Sequence, residues 1–210
     1  MKIDLCKFVP SVNSLVHNMG KEFFQTVYNS PYISQKDYEE IARAHSKMDV
    51  QQGTILLEEG KTAKEYYIVE KGLFRSFVYD YNGNEVTTEF YCPQELLIES
   101  FSLFHRSPSM ENFQALSDGI VWKIEYRIFQ QLLGKAEGFR EWGRNWATSH
   151  LFMMKKRSIN MLTMNATDRY LNLLQERPQV IRQAPLKQIA SYLGITDTSL
   201  SRIRKEIATT

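Results

Sequence analysis

The chain has 210 residues and a mass of 24.6 kDa, 43% of them hydrophobic, which is enough for a buried core and two modest domains and excludes disorder as the default. Its formal net charge of +2 is small, yet residues 50–120 hold eleven acidic against five basic side chains, so the remainder carries +8 and the two parts are expected to meet different partners. Two cysteines, Cys6 and Cys92, exclude a disulfide framework or four-thiolate metal site within one chain, and with no signal-like apolar start and no run near the ~20 residues that span a bilayer, a cytoplasmic protein is expected.

In chain order, Phe23, Phe24, Val27 and Tyr28 share one helical face and predict a helix docking on a barrel formed by the middle of the chain. In that middle part, short runs rich in Val, Ile, Tyr, Phe and Thr predict strands over 54–57, 66–69, 73–79, 86–91, 111–115 and 120–124. Asn82-Gly83 lies between two of them and tolerates the positive φ of a tight hairpin. Many short strands at such intervals point to a small antiparallel barrel or jelly roll, which closes its own edges.

Beyond Lys123 the pattern turns helical. Tyr126, Phe129, Gln130 and Leu133 fit a short helix that Gly134 and Gly138 are expected to end. A longer helix over 139–162 carries two apolar stripes: Phe139, Trp142, Trp146 and Met153, and Ala147, Leu151, Met154 and Met161. One stripe covers the helix's own domain, and the simplest cover for the second is the same helix of another copy. A helix buried between domains of one chain is the alternative. Asn165 with Asp168 predicts a capped helix containing Tyr170, Leu171 and Leu174, ending near Pro178.

The carboxyl end is the most informative stretch. Leu186, Ile189, Ala190 and Leu193 recur at helical spacing, Gly194 follows where positive φ is wanted, and Thr196 can cap a second helix. In that helix Leu200, Ile203 and Ile207 share one face, leaving Thr198, Ser201, Arg202 and Lys205 on the other. Arg can grip guanine with two hydrogen bonds, Thr and Ser bond to bases or phosphates, and Lys neutralises backbone charge. A helical hairpin that merely packs at a chain end is the bland alternative. Five cations (Arg182, Lys187, Arg202, Arg204, Lys205) against Asp197 and Glu206 weigh against it.

This order of parts resembles the Crp/Fnr family of bacterial regulators. The resemblance rests on Gly53-Thr-Ile-Leu-Leu-Glu-Glu-Gly60, on Glu65-Tyr-Tyr-Ile-Val-Glu-Lys-Gly72 and on the block from Gln188 to Arg202. It implies an α+β protein: a helical arm (1–32), an antiparallel β-roll or jelly-roll sensor domain (33–133), a dimerisation helix (134–162) and a winged-helix-like helix-turn-helix domain (163–210). It implies a homodimer that binds double-stranded DNA at a palindromic operator, with RNA polymerase and a small-molecule effector as further partners, and no catalysis, cofactor or membrane. Asp197, Thr198 and Arg202 stand at the family's base-reading positions, with Thr196, Ser199, Ser201 and Lys205 beside them. Where the family often has Glu, this chain has Thr198, so the preferred DNA sequence is expected to differ.

Cyclic-nucleotide-binding relatives hold the ligand phosphate in a cassette that opens Gly-Glu-Leu and closes with Arg-Ser or Arg-Thr. Here the cassette reads Ile98-Glu99-Ser100 and then Ser109-Met110, so Ile98 replaces the glycine and Ser109 the arginine. Losing the guanidinium removes the two-pronged partner of a phosphate, and regulation independent of cyclic AMP is expected. Glu99 is left as the residue for a sugar hydroxyl, and Arg106 is near enough in sequence to substitute. Glu99, Ser100, Arg106, Ser109 and Met110 are therefore the candidate effector residues.

Other senses fit less well. An iron–sulfur sensor needs several cysteines near the start, where only Cys6 stands, and haem needs an axial ligand, whereas His17, His45, His105 and His150 are scattered singly. Cys92 in a strand-like run reads as a small hydrophobe before a redox switch. A cupin-like metalloenzyme would need several histidines inside the barrel, and only His105 lies between Gly53 and Ile124. A protein-interaction module with an incidental basic tail remains the other alternative.

Overall fold

The computed structural model describes residues 22–208; Cys6, His17 and the first 21 residues of the expected arm lie outside them. Residues 22–27 are helical, followed by α1 (Gln35–Ala44). Eight strands come next, with one short helix among them: β1 (Ser46–Val50), β2 (Ile55–Leu57), β3 (Glu65–Lys71), β4 (Phe74–Tyr79), β5 (Glu85–Tyr91), β6 (Leu96–Leu97), α2 (Ser100–His105), β7 (Asn112–Ala115) and β8 (Gly119–Glu125). They form two four-stranded antiparallel sheets, ordered β1-β8-β3-β6 and β2-β7-β4-β5. Val50, Tyr67, Val69, Phe74, Leu97, Phe113 and Val121 pack together as one apolar cluster of this roll. At the β4–β5 turn the Asp80 carboxylate accepts from the backbone N–H of Asn82 and of Asn84, both at 2.8 Å, and Gly83 has φ +80°. That is the hairpin expected at Asn82-Gly83.

The helices follow in one run: α3 (Tyr126–Lys135), α4 (Glu137–Thr163), α5 (Ala166–Glu176), α6 (Pro178–Gln183), α7 (Leu186–Tyr192) and α8 (Asp197–Ala208). The start of α4 corrects one expectation. Gly138 does not end a helix but lies in the first turn of α4, where an added Cβ would fall 2.0 Å from the Tyr32 carbonyl oxygen. Its role is close approach, and only a residue without a side chain permits it.

Phe24 and Tyr28 are fully buried beside Phe129, Phe139, Trp142 and Trp122, so the segment at 22–28 docks on the roll as its apolar face requires. Burying each such ring stabilises the fold by roughly 2 kcal/mol. Inside this cluster runs a polar chain. His45 Nδ1 donates to the Ile41 carbonyl at 2.7 Å, so its Nε2 accepts from the Tyr28 hydroxyl at 2.8 Å, and Tyr28 in turn accepts from Tyr66 at 2.8 Å. Burial pushes the His45 imidazole down to about 4, against the opposing pull of the Ile41 carbonyl.

Past Trp142 the long helix loses its cover. Leu151, Phe152, Met153, Met154, Ile159 and Leu162 are exposed, Leu162 by 85%, on a helix of 27 residues. No helix among the described residues is long and apolar enough to cross a membrane.

Candidate nucleic-acid interface and sensor pocket

The four carboxyl-terminal helices form a unit around Tyr170, Leu173, Val180, Ile189, Leu200 and Ile203. Asn165 caps α5 by accepting from the Asp168 N–H at 2.9 Å, as its spacing predicts. Between α7 and α8 the chain turns at Gly194, with φ +67°, and the Met161 methyl of α4 lies 2.7 Å from where a Cβ would stand. Thr196 Oγ1 then accepts from the Ser199 N–H at 3.2 Å and opens α8. Leu200 and Ile203 are buried; Thr196, Asp197, Thr198, Ser201, Arg202 and Lys205 are exposed, while Ser199 is half-buried against Thr196. The Arg202 side chain is 76% exposed, with Nε 3.9 Å from Glu206 Oε1. Arg182, Lys187 and Arg204 are exposed as well. The result is a solvent-exposed helix face of polar and cationic side chains, groups of the kind that bond to base edges and phosphates.

The unit is seated directly on the roll. Leu73, Phe90 and Leu116 of the roll join its apolar cluster. Ser191 Oγ of α7 accepts from the Thr87 N–H of β5 at 3.1 Å, and Gln179 Nε2 donates to the Gly72 carbonyl at 3.4 Å. Arg177, between α5 and α6, donates to Glu89 at 2.6 Å and to Glu95, and Arg157 of α4 bridges the carbonyls of Thr88 and Tyr192. Sequence alone points to none of these polar links, since each joins positions more than thirty residues apart.

The five candidate effector residues do not converge. Glu99 caps α2 by accepting from the Ser102 N–H, and Ser100 is the first residue of that helix. Arg106, in left-handed backbone with φ 56°, donates to the Ala63 carbonyl at 2.6 Å and lies over Tyr126, exposed and turned outward. Ser109 is buried but spends its hydroxyl on the Glu111 backbone, donating at 2.7 Å and accepting at 3.1 Å. Met110 is 68% exposed.

Glu111 is the neighbouring polar group for which the sequence carries no signal. Burial pushes its carboxyl up; bonds from Thr88 and Ser76 work against that shift, while Glu99 and Glu89 add repulsion. Arg75 is 2% exposed and bonded to Glu85, Gln114 and Thr87. The roll interior beside the cassette therefore presents carboxylates where a phosphate needs donors. Cys92 is half-buried, and burial raises its thiol. Among the described residues no group of three or more His, Cys, Asp or Glu is placed to hold a metal ion.

Residues 47–136 match the cyclic nucleotide-binding domain family. An anaerobic regulatory protein of Haemophilus influenzae is 24% identical over 168 residues, 75% of this chain and 65% of that protein, so the chain spans just under two thirds of this relative. The c-di-GMP responsive global regulator CLP of Xanthomonas campestris shares the fold with a TM-score of 0.67 at 15% identity, over 84% of this chain and 92% of that one. FixK2 of Bradyrhizobium japonicum gives a TM-score of 0.65 at 20% identity, over 79% and 85% of the two chains. A roll of this type followed by a long helix and a carboxyl-terminal helical unit is thus the architecture.

Proposed function

We propose that this chain is a regulator of the Crp/Fnr type, a sequence-specific DNA-binding transcription regulator acting in the cytoplasm as a homodimer, a reading supported by the match of residues 47–136 to the cyclic nucleotide-binding domain family and by the fold shared with CLP and FixK2. The observation that carries the reading is the uncovered face of α8, with Thr198, Ser201, Arg202 and Lys205 on one side and Leu200 and Ile203 buried on the other. Two such faces, related by a two-fold axis through α4, read a palindromic operator about one helical turn apart. The exposed apolar face of α4 supports that pairing. RNA polymerase is the natural downstream partner of a bound dimer.

The roll acts through contact. Its strand β5 touches α7 at Thr87–Ser191 and holds Arg177 through Glu89, so a change at β5 moves the reading unit. Cyclic AMP is not the trigger in this reading, because Ser109 stands where the cassette's arginine would hold the phosphate, and the Glu111 carboxyl lies beside it. Calorimetric titration with cyclic AMP should give no heat of tight binding.

Selection of random duplexes by the purified protein tests the whole reading. A recovered palindrome bound with a steep salt dependence supports it, with log affinity falling by about 0.9 per decade of salt for each phosphate neutralised. Recovery of no sequence, or salt-independent binding, overturns it in favour of a protein-interaction module.

A further inference from the structure

Between the roll, α4 and the carboxyl-terminal unit lies a cavity of about 560 Å3, within the range of small-molecule sites. One side is aromatic. Trp146 and His150 lie parallel, with ring centroids 5.0 Å apart and planes 8° off, and Phe90 meets Tyr192 at 5.1 Å. Burial lowers the His150 imidazole, against the opposing pull of Glu89.

The other side is cationic. Lys156, Arg157, Arg169 and Arg177 line it against Glu89, Glu95 and Glu176. Those carboxylates are already spoken for: Glu176 by Lys156 at 3.1 Å, Glu89 and Glu95 by Arg177. Arg157 and Arg169 bond only to backbone carbonyls among the described residues, Arg157 to Thr88 and Tyr192, Arg169 to Met164 and Leu193. Each guanidinium carries five donors, so both keep donors to spare and neither has a carboxylate to balance its charge. In a partly desolvated cleft, an anion that accepts from them gains more than it would in water.

We propose that this cavity binds a planar aromatic molecule bearing one acidic group, with the ring beside Trp146 and His150 and the anion on Arg169 and on Arg157, whose guanidinium lies over the Tyr192 ring. As an effector site it rests on the proposed regulator function, because its walls come from all three units whose arrangement that function requires to change. The site is separate from the roll interior, where Glu99 and Glu111 disfavour anions.

The test uses 8-anilinonaphthalene-1-sulfonate, an aromatic sulfonate whose fluorescence rises on burial, and N-phenyl-1-naphthylamine, the same rings without the charge. The expected result for the purified full chain is one saturable sulfonate site per chain, with the neutral dye about tenfold weaker. Arg157→Met and Arg169→Met should each weaken the sulfonate about tenfold and leave the neutral dye unchanged. Equal binding of the two dyes by the wild-type chain overturns the proposal without any variant, so a misfolded substitution does not shield it. Several unsaturable dye sites per chain, or methionine variants that bind as the wild type does, place the dye on the exposed face around Leu151 and Leu162 and overturn it too. None of these measurements contains DNA, and Arg202→Ala should leave dye binding intact, so failure here is separable from failure of the DNA-binding reading.

Discussion

Arg177 donates to the carboxylate of Glu89 at 2.6 Å across the boundary between the roll and the carboxyl-terminal helices. Its second arm reaches Glu95, whose carboxyl burial pushes up even beside this cation. Arg177→Met should leave two partly desolvated carboxylates facing each other and cost about 2 kcal/mol, less than a fully buried pair would because Glu89 and Glu95 are 31% and 42% exposed. Urea unfolding measures the loss. Adding Glu89→Gln and Glu95→Gln should recover part of it, and no recovery would mean that the pair's charge is not what matters.

The exposed apolar face of α4 gives a second expectation. Leu151→Glu with Met154→Glu places two carboxylates on a surface that a second copy would cover. Sedimentation should show a shift from dimer to monomer, and operator affinity should fall at least about tenfold. A variant that remains dimeric would move the two-fold axis elsewhere.

In the proposed reading Arg202, whose side chain is 76% exposed on α8, is the residue that grips a base. Arg202→Ala should cost about 1–3 kcal/mol on a selected operator and relax preference at one position per half-site. Lys205→Ala should instead weaken binding to all duplexes alike. Competition binding against single-position operator variants distinguishes the two.

Acid sensitivity arises at His45. Its native imidazole titrates near 4 against 6.5 in an unfolded chain, so between these values the unfolded state binds the extra proton and stability falls as pH drops. From pH 7 to pH 5 the loss from this one group is about 2 kcal/mol. Glu95 and Glu111 shift upward and give the opposite slope, so the contribution of His45 is read as the difference between the wild type and His45→Gln in urea midpoints at the two pH values. The variant should be less stable at neutral pH and flatter with pH.

Gly138→Ala should be strongly unfavourable. The new Cβ would stand 2.0 Å from the Tyr32 carbonyl oxygen, and both atoms belong to backbone that packing holds in place. A cost of about 3 kcal/mol is expected, whereas Gly134→Ala, with nothing within 4 Å, should be neutral or slightly stabilising in its helix. Thermal unfolding of the two variants makes the comparison.

Much of the architecture is legible where chemistry is local. Asn82-Gly83, Asn165 with Asp168, and Gly194 with Thr196 each announce their turn or cap through short-range sterics and hydrogen bonds, and Leu200 and Ile203 declare the buried face of α8 by spacing. Strand β1 is not legible, because Ser46, Lys47 and Asp49 are exposed on an edge and give no apolar alternation. Neither is β6, two residues long, nor α1, although Ser34 and Asp37 form a capping box ahead of it. Gly138 misleads because a glycine near a helix boundary reads as a stop, and only the fold brings Tyr32 against it. The same holds for the interdomain groups: Arg157, Arg169 and Arg177 look like ordinary solvated helix cations until β5 and α7 close over them. Arg106 shows the reverse error, since nearness in sequence to the cassette says nothing about direction, and its left-handed backbone turns it onto Tyr126.

The meeting of Met161 and Gly194 couples two parts of the molecule mechanically. Because the methyl group occupies the space that any larger residue at 194 would claim, the elbow joining the last two helices rests on the far end of the long shaft like a tooth in a notch. A twist or slide of that shaft would shift this methyl against the elbow, so a glycine there lets the final helix sit close to a shaft whose other end is fixed in the aromatic cluster some five turns away.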